Sequence, residues 1–299
     1  MHKILSALTD ILRPDRSGGR LVMTLLVKNE EETLEACLRF HHQMGVDAFV
    51  VTDNNSTDST PQIIERYRRS GWIEAVIHEP GTDYQQKQWV DRMIRLAKKR
   101  LGAAWVINAD ADEFWFSPSG NLRTELEACG GNVAHCQIRS MYPEPTHFTQ
   151  WTRRVEFAPT EAYDLSPYSI FQPQRGKVAH RTRAYIQIGM GNHKVTMLCP
   201  RKRECDIRIY HYNIRSFAEF EKKIINGGKQ LELHAQKNHG RHWRYFYDLY
   251  KAGRLAEEYE RVVGTASLDR LTQDGRLVTD TTMRDCFTLL NTQQESCDS

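Results

Sequence analysis

A chain of 299 residues with 40% hydrophobic and 26% charged side chains has a globular make-up, and it is long enough to bury a core without disulfide staples. The formal net charge of +3 and the lack of a long Lys/Arg block leave no electrostatic footprint for nucleic acid. No run approaches the ~20 apolar residues of a membrane-spanning helix, and seven cysteines without a CxxC pair suggest neither a zinc module nor a disulfide framework. The pattern reads as a cytoplasmic protein with reduced thiols.

Met1 to Leu12 places Ile4, Leu5, Leu8, Ile11 and Leu12 at helical spacing and lacks the apolar run and cleavage site of a secretory signal. A short helix packed on the body is expected, with a peripheral contact to the inner face of a membrane as the lesser alternative. After a polar break, Leu21 to Val27 is apolar except for Thr24, which suits a strand covered on both faces. Glu30, Glu31 and Glu32 open a helix, where negative charge complements the helix dipole, and Gly45 ends it. Ala48 to Thr52 is a second strand, and Thr60-Pro61 reads as N-cap and first turn of the next helix. Trp72 to His78 gives a third strand. Val90, Met93, Ile94, Ala97 and Leu101 mark a long helix from Asp83 to Leu101, and Ala104 to Ile107 is a fourth strand. Strands alternating with helices predict an α/β fold with a mainly parallel sheet.

Beyond Cys136 the alternation weakens. Residues 140 to 175 carry five prolines and predict a long irregular region, followed by short β segments at Tyr185 to Ile188 and Ile207 to Tyr210. From Ser216 the chain reads as helices, including Phe217 to Asn226 and Trp243 to Val263, and the last twenty residues read as a disordered tail. The expected organisation is a helix and linker over 1–20, a catalytic domain over 21–215 with a donor half (21–120) and an acceptor half (121–215), and a helical extension over 216–299.

In open parallel sheets, ligands bind beyond the carboxyl ends of the strands. Three polar clusters fall there: Lys28-Asn29-Glu30, Asp53-Asn54-Asn55 and Asn108 to Glu113. In the third, Asp110 and Asp112 are spaced i and i+2, which in extended backbone projects both carboxylates to one side. So placed they can grip one hard divalent cation and leave positions for water and phosphate oxygens. Asp53 ends a strand where a carboxylate can accept hydrogen bonds from a base or a ribose, although Asp-Asn-Ser stretches also form turns on their own account.

The runs Met23 to Glu30, Val51 to Asp58 and Asp110-Ala111-Asp112-Glu113-Phe114-Trp115 together resemble bacterial family 2 glycosyltransferases, strongly over about residues 20 to 120 and more weakly to about 230. The resemblance implies the GT-A fold, a nucleotide-binding αβα sandwich, here with a helical C-terminal extension. It further implies a nucleotide-sugar donor, Mn²⁺ or Mg²⁺, and transfer of a sugar to a saccharide or other hydroxyl acceptor. By the same resemblance Asp53 contacts the nucleoside, and Asp110 and Asp112 serve the ribose and the metal-bound diphosphate. Many such enzymes complete the metal shell with a downstream histidine, for which His211 and His193 are the alternatives. Lys28, Asn29, Glu30 and Asn55 border the donor. Gln86 and Lys87 open a helix whose N-terminus suits a base or phosphates, and Arg215, with Lys222 and Lys223 after it, offers positive charge to a leaving diphosphate.

The chain departs from the family in lacking a recognisable acidic pair after Asp112 to supply the base that an inverting transfer needs. Glu113, Glu144, Glu161 and Asp164 are the candidates. The basic stretches Lys177 to Arg183 and Arg201 to Arg203 read as solvated surface, with phosphate contact as the lesser alternative. Two other readings are a nucleotidyltransferase, disfavoured because no glycine-rich loop follows the first strand, and a non-catalytic protein that binds a nucleotide sugar.

Overall fold

The computed structural model describes residues 2–11, 19–81, 85–156, 176–232 and 241–298. The chain divides into two units, one of Met1–Gly81, Gln85–Ile138 and Arg175–Ile209, the other of Thr82–Tyr84, Arg139–Gln174 and Tyr210–Ser299. The first unit begins with α1 (His2–Ile11), β1 (Arg20–Val27), α2 (Leu34–Gln43), β2 (Ala48–Asp53), α3 (Thr60–Arg69) and β3 (Ile73–His78). It continues with α4 (Gln86–Arg100), β4 (Ala103–Ala109), β5 (Glu113–Phe116), α5 (Leu122–Ala128) and most of β6 (Val133–Met141). After β7 (Arg153–Val155) of the second unit come β8 (Lys177–Arg181), β9 (Tyr185–Ile188), β10 (Val195–Met197) and β11 (Lys202–His211).

The sheet of the first unit has the order β6-β8-β4-β1-β2-β3. β3, β2, β1 and β4 are parallel, and β8 runs antiparallel to both β4 and β6. β1, β2 and β4 are buried along nearly their whole length, which explains their unbroken apolar sequence. On one face Val22, Val50 and Val106 pack with Val90, Met93, Ile94 and Ala97 of α4. Residues of the other parity turn to the opposite face. There Trp105 donates its indole N–H to Glu127 of α5 at 3.0 Å. Helices therefore cover both faces, giving the αβα sandwich expected from the alternation.

A buried polar line crosses this sheet. Thr24 of β1 is the register partner of Asn108 of β4, and its hydroxyl donates to Asn108 Oδ1 at 2.7 Å. The Asn108 amide donates in turn to His180 Nε2 of β8 at 3.5 Å. His180 donates from Nδ1 to the carbonyl of Arg181 at 3.0 Å, so one tautomer serves both bonds.

In the second unit β7 pairs antiparallel with Ser140 and Met141 at the end of β6 and with β12 (Leu277–Thr279). Helices α6 (Phe217–Glu232), α7 (Arg241–Lys251), α8 (Leu255–Val263), α9 (Thr265–Gln273) and α10 (Thr282–Asp298) form the rest. Ile214, Phe220, Ile224, Phe246, Tyr247 and Leu255 make a core among α6, α7 and α8. Gly228 lets α6 lie directly on the Tyr247 ring, since a Cβ there would come within 2.1 Å of it.

Two expectations are corrected. The single helix read over Trp243 to Val263 is two, α7 and α8, because Gly253 turns the chain between them at φ 70°. The tail read as disordered forms α10, whose first turns bury Met283 and Phe287 at i and i+4.

Candidate active site

The parallel register brings the expected clusters to one edge. Val27 is the partner of Asp53, and Leu25 the partner of Ala109, so Lys28, Asn54 and Asp110 leave the sheet at adjacent strand ends. The loops after β1 and β2 are tied to each other. Asn29 donates from its backbone N–H to Ser56 Oγ at 3.0 Å, and Asn29 Oδ1 accepts from the Thr57 N–H at 2.7 Å. The Glu30 N–H donates to Thr60 Oγ1 at 2.8 Å, and a Glu30 carboxylate oxygen accepts from Thr33 Oγ1 at 2.9 Å. Asn29 and Asn55 both adopt left-handed backbone, φ 56° and 57°, a conformation in which Asn is the commonest residue after Gly. The polar groups of Asn29 and Glu30 named for the donor are thus already used in building the loops. Asp53 is buried, and its Oδ1 accepts from the Ser56 N–H at 3.1 Å. Lys28 is half-buried beside it, as are Gln86 and Lys87 in the first turn of α4.

At the end of β4, Asp110 and Glu113 close a turn on themselves. The Glu113 N–H donates to the Asp110 carbonyl at 3.1 Å, and the Asp110 N–H donates to Glu113 Oε2 at 3.3 Å. Asp112 lies within this turn and is 3% exposed, whereas the Asp110 side chain is 42% exposed. Lys177 completes the group. Its ammonium lies 2.7 Å from Asp110 Oδ2 and 2.7 Å from Glu113 Oε1, and the residue is only 3% exposed. The reading of Lys177 as solvated surface is therefore overturned. β8 pairs antiparallel with β4, Ala179 opposite Ile107, which sets Lys177 at the height where β4 ends. Burial alone would lower the lysine pKa, but the charges of Asp110 and Glu113 outweigh it and hold the ammonium above its ordinary value.

His193 stands next to this group. Its Nδ1 lies 3.1 Å from the Gly176 carbonyl, a contact only an N–H can satisfy, so in the neutral ring Nε2 is the nitrogen with the lone pair. Asn192 donates to the Asn108 carbonyl at 3.3 Å. Gly191, at φ 64°, has no room for a side chain, since a Cβ would lie 2.8 Å from the His193 ring.

Other expected residues lie elsewhere or are engaged. His211, Glu144 and Arg215 belong to the second unit. Glu144 Oε1 accepts from the Thr152 N–H at 2.9 Å and from Arg153 Nε at 3.3 Å, bracing the turn before β7. Arg215 is ion-paired with Glu219 and donates to the Tyr212 carbonyl. Glu113 has both oxygens committed to Lys177 and to the Asp110 N–H, which disfavours it as a base. Asp164 and Glu161 fall outside the described residues.

Among the described residues no group of three or more His, Cys, Asp or Glu could by itself hold a metal ion. The extended backbone expected for Asp110 and Asp112 does not form: both lie in the turn closed by the Glu113 N–H, Asp112 buried and Asp110 exposed, and their carboxylate oxygens are of the ligand type that a hard divalent cation takes alongside water and phosphates. No helix among the described residues is long and apolar enough to cross a membrane.

The glycosyl transferase family 2 pattern matches residues 25–184, just over half of the chain and the whole of the Asp53 and Asp110 edge. The lipopolysaccharide core biosynthesis glycosyltransferase LpsC of Rhizobium meliloti is 27% identical over 115 residues, 38% of this chain and 39% of that protein. The chain thus matches well under half the length of this curated relative. Among solved structures, S. aureus TarS 1-349 in complex with UDP is 15% identical over 81% of this chain and 71% of that one, with a TM-score of 0.42. The mannosyltransferase PcManGT from Pyrobaculum calidifontis, in complex with GDP-Man and Mn²⁺, is 14% identical over 99% of this chain and 87% of that one, with a TM-score of 0.41. On the match over residues 25–184, this chain belongs to the glycosyl transferase family 2.

Proposed function

We propose that this protein transfers a sugar from a nucleotide diphosphate sugar to an acceptor hydroxyl, assisted by Mn²⁺ or Mg²⁺. The observation that carries the reading is the Asp110-Ala111-Asp112 run at the carboxyl end of β4, inside the family 2 segment and on the same sheet edge as Asp53. In this reading Asp53 accepts hydrogen bonds from the nucleoside. Asp110 and Asp112 hold the divalent ion, with His193, which belongs to the same unit, as the proposed histidine ligand. A divalent ion bound there neutralises charge that builds on the diphosphate as the sugar bond breaks. Lys28 and Lys87, half-buried at the same edge, add positive charge for the phosphates. With Glu113 and Glu144 engaged, the proposed base is Glu161 or Asp164. A nucleotide-sugar donor fits a cytoplasmic location.

The test is a thermal-shift screen of nucleoside diphosphates and nucleotide sugars with and without Mn²⁺, followed by product analysis. A ligand that binds only the folded state raises Tm by mass action. The expected outcome is a shift with one nucleoside series that requires Mn²⁺, and release of a nucleoside diphosphate on turnover. Release of pyrophosphate would assign nucleotidyl transfer instead. Asp112→Asn should cost about a hundredfold or more in turnover; retention of full metal-dependent activity would remove Asp112 from the metal site.

A further inference from the structure

Surface helices usually turn their apolar side to the core and their charged side to water. Helix α1 does the reverse. Lys3 pairs with Asp91 of α4 at 2.9 Å, and Asp10 pairs with Lys98 of the same helix. Both partners in each helix are spaced i and i+7, so α1 and α4 run side by side in the same direction over two turns. Asp91 is buried, and its carboxylate also accepts the Tyr185 hydroxyl and the Ile188 N–H of β9, which anchors the first pair in the body. Between the two pairs Ala7 is fully buried. Lys3, Ala7 and Asp10 fall within about 60° of one another around the helix axis, and Ile4, Leu5 and Leu8 cluster about 140° away. Those three are 50%, 61% and 48% exposed, and among the described residues only Met190 and Leu289 are large apolar side chains as open to solvent.

A helix fastened by its charges, with its apolar side outward, calls for an apolar occupant. Three half-exposed side chains offer roughly 300 Å² of surface, well below the ~800 Å² per partner that a stable protein interface buries. A bilayer asks for less, since an interfacial helix needs only to sink one apolar face past the headgroups. The charge beside the face fits the same occupant. Asp10 lies at the C-terminal end of α4, where Lys99 and Arg100 follow Lys98 and are exposed. Cations bordering an apolar face match anionic lipid. We propose that α1 docks the protein on an anionic membrane surface: Ile4, Leu5 and Leu8 insert among the lipids, while Lys3 and Asp10 keep the helix on α4. The ion pairs hold the helix in place beforehand, so docking needs no segment to fold on binding.

Vesicle binding needs neither donor nor metal, so its failure leaves the glycosyltransferase reading intact. The full chain is sedimented with vesicles of phosphatidylcholine and phosphatidylglycerol in equal parts, and with phosphatidylcholine alone. Wild type should bind the mixed vesicles and bind the neutral ones severalfold more weakly. Leu5→Ser/Leu8→Ser should weaken binding to mixed vesicles by about tenfold or more, as expected when two inserting apolar side chains are lost. Its Tm should be unchanged, because both residues are exposed. Leu289→Ser, at an exposed leucine of the other unit, should bind as wild type does. Wild type that ignores vesicles, or equal binding to both kinds, overturns the proposal. So does binding that survives the α1 double variant, or an equal loss in Leu289→Ser. A wild-type dimer that Leu5→Ser/Leu8→Ser abolishes would assign the face to a second copy instead. A clear fall in Tm for that variant would show the face covered by the chain itself, which overturns docking as well.

Discussion

His41 shows how one side chain can join two elements and record pH. Its Nδ1–H donates to the Cys37 carbonyl at 2.8 Å, and its Nε2 accepts the Trp115 backbone N–H at 2.9 Å, linking α2 to β5 directly behind the Asp110 turn. Burial, only partly opposed by the Cys37 carbonyl, lowers its pKa to about 3. Burial likewise lowers His180 to about 4. In the unfolded chain both titrate near 6.5, so between there and the folded values the unfolded state holds more protons. Stability is therefore full above the ordinary histidine range and falls as pH drops through it, by up to about 1.4 kcal/mol per pH unit for each histidine. Urea midpoints measured from pH 7 to pH 5 should show this fall. His41→Gln, which keeps a donor and an acceptor but does not titrate, should flatten the slope by about one histidine's share. His41 was legible as part of the buried stripe of α2, at i+7 from Leu34 with Cys37 and Leu38 between, but its partners were not, and His180 in an apolar stretch carried no mark at all. Lys177 was hidden for a related reason. In Lys-Val-Ala-His-Arg it has the pattern of a strand end at the surface, and only the antiparallel pairing of β8 with β4 sets it under Asp110.

At the scale of elements, the parallel core was readable because β1, β2 and β4 are buried on both faces and so appear as apolar runs, while α4 keeps a 3.6-residue apolar stripe. The clusters at the strand ends were readable for the same reason: polar residues directly after such runs have few places to go. Their individual duties were less legible. Asn29 and Glu30 looked like ligand groups, but their hydrogen bonds knit the β1–α2 loop to the β2–α3 loop. This stitching predicts that Asn29→Ala destabilises by about 1–3 kcal/mol, from left-handed strain and the two lost hydrogen bonds from Thr57 together. Asn29→Gly should recover the strain portion alone. Urea denaturation of the three proteins checks the order wild type, Gly, Ala. Equal losses for Gly and Ala would mean that the backbone conformation at 29 contributes nothing.

At the scale of the molecule, the family 2 match ends at residue 184, and the described helices of the second unit follow it in sequence. That unit has its own means of cohesion. Gly227 and Gly228 of α6 meet Trp243 and Tyr247 of α7 at distances no side chain could occupy. Gly228→Ala should therefore cost about 1–3 kcal/mol by overpacking, despite the helix preference of alanine. Hydrogen exchange should locate the loss in α6 and α7, as expected for a cooperative unit that opens locally. Enhanced exchange confined to β1, β2 and β4 instead would contradict it. Little of this was legible: the helix read over Phe217 to Asn226 stops short of Gly227 and Gly228, because a Gly-Gly pair reads as a helix end until the rings that fill its space are known, whereas α6 runs on to Glu232.

The polar line of Thr24, Asn108 and His180 has a bearing on folding fidelity. Strands as uniformly apolar as β1 and β4 have little in their side chains to tell one alignment from the next. Displaced by one residue, β4 would turn Asn108 to the other face of the sheet and separate it from both partners. Each buried polar group left unmatched costs about 1–3 kcal/mol, so a misaligned sheet is penalised several times over. The same three side chains that carry no reactivity thus guarantee that Asp110 emerges at one height only, every time the chain folds.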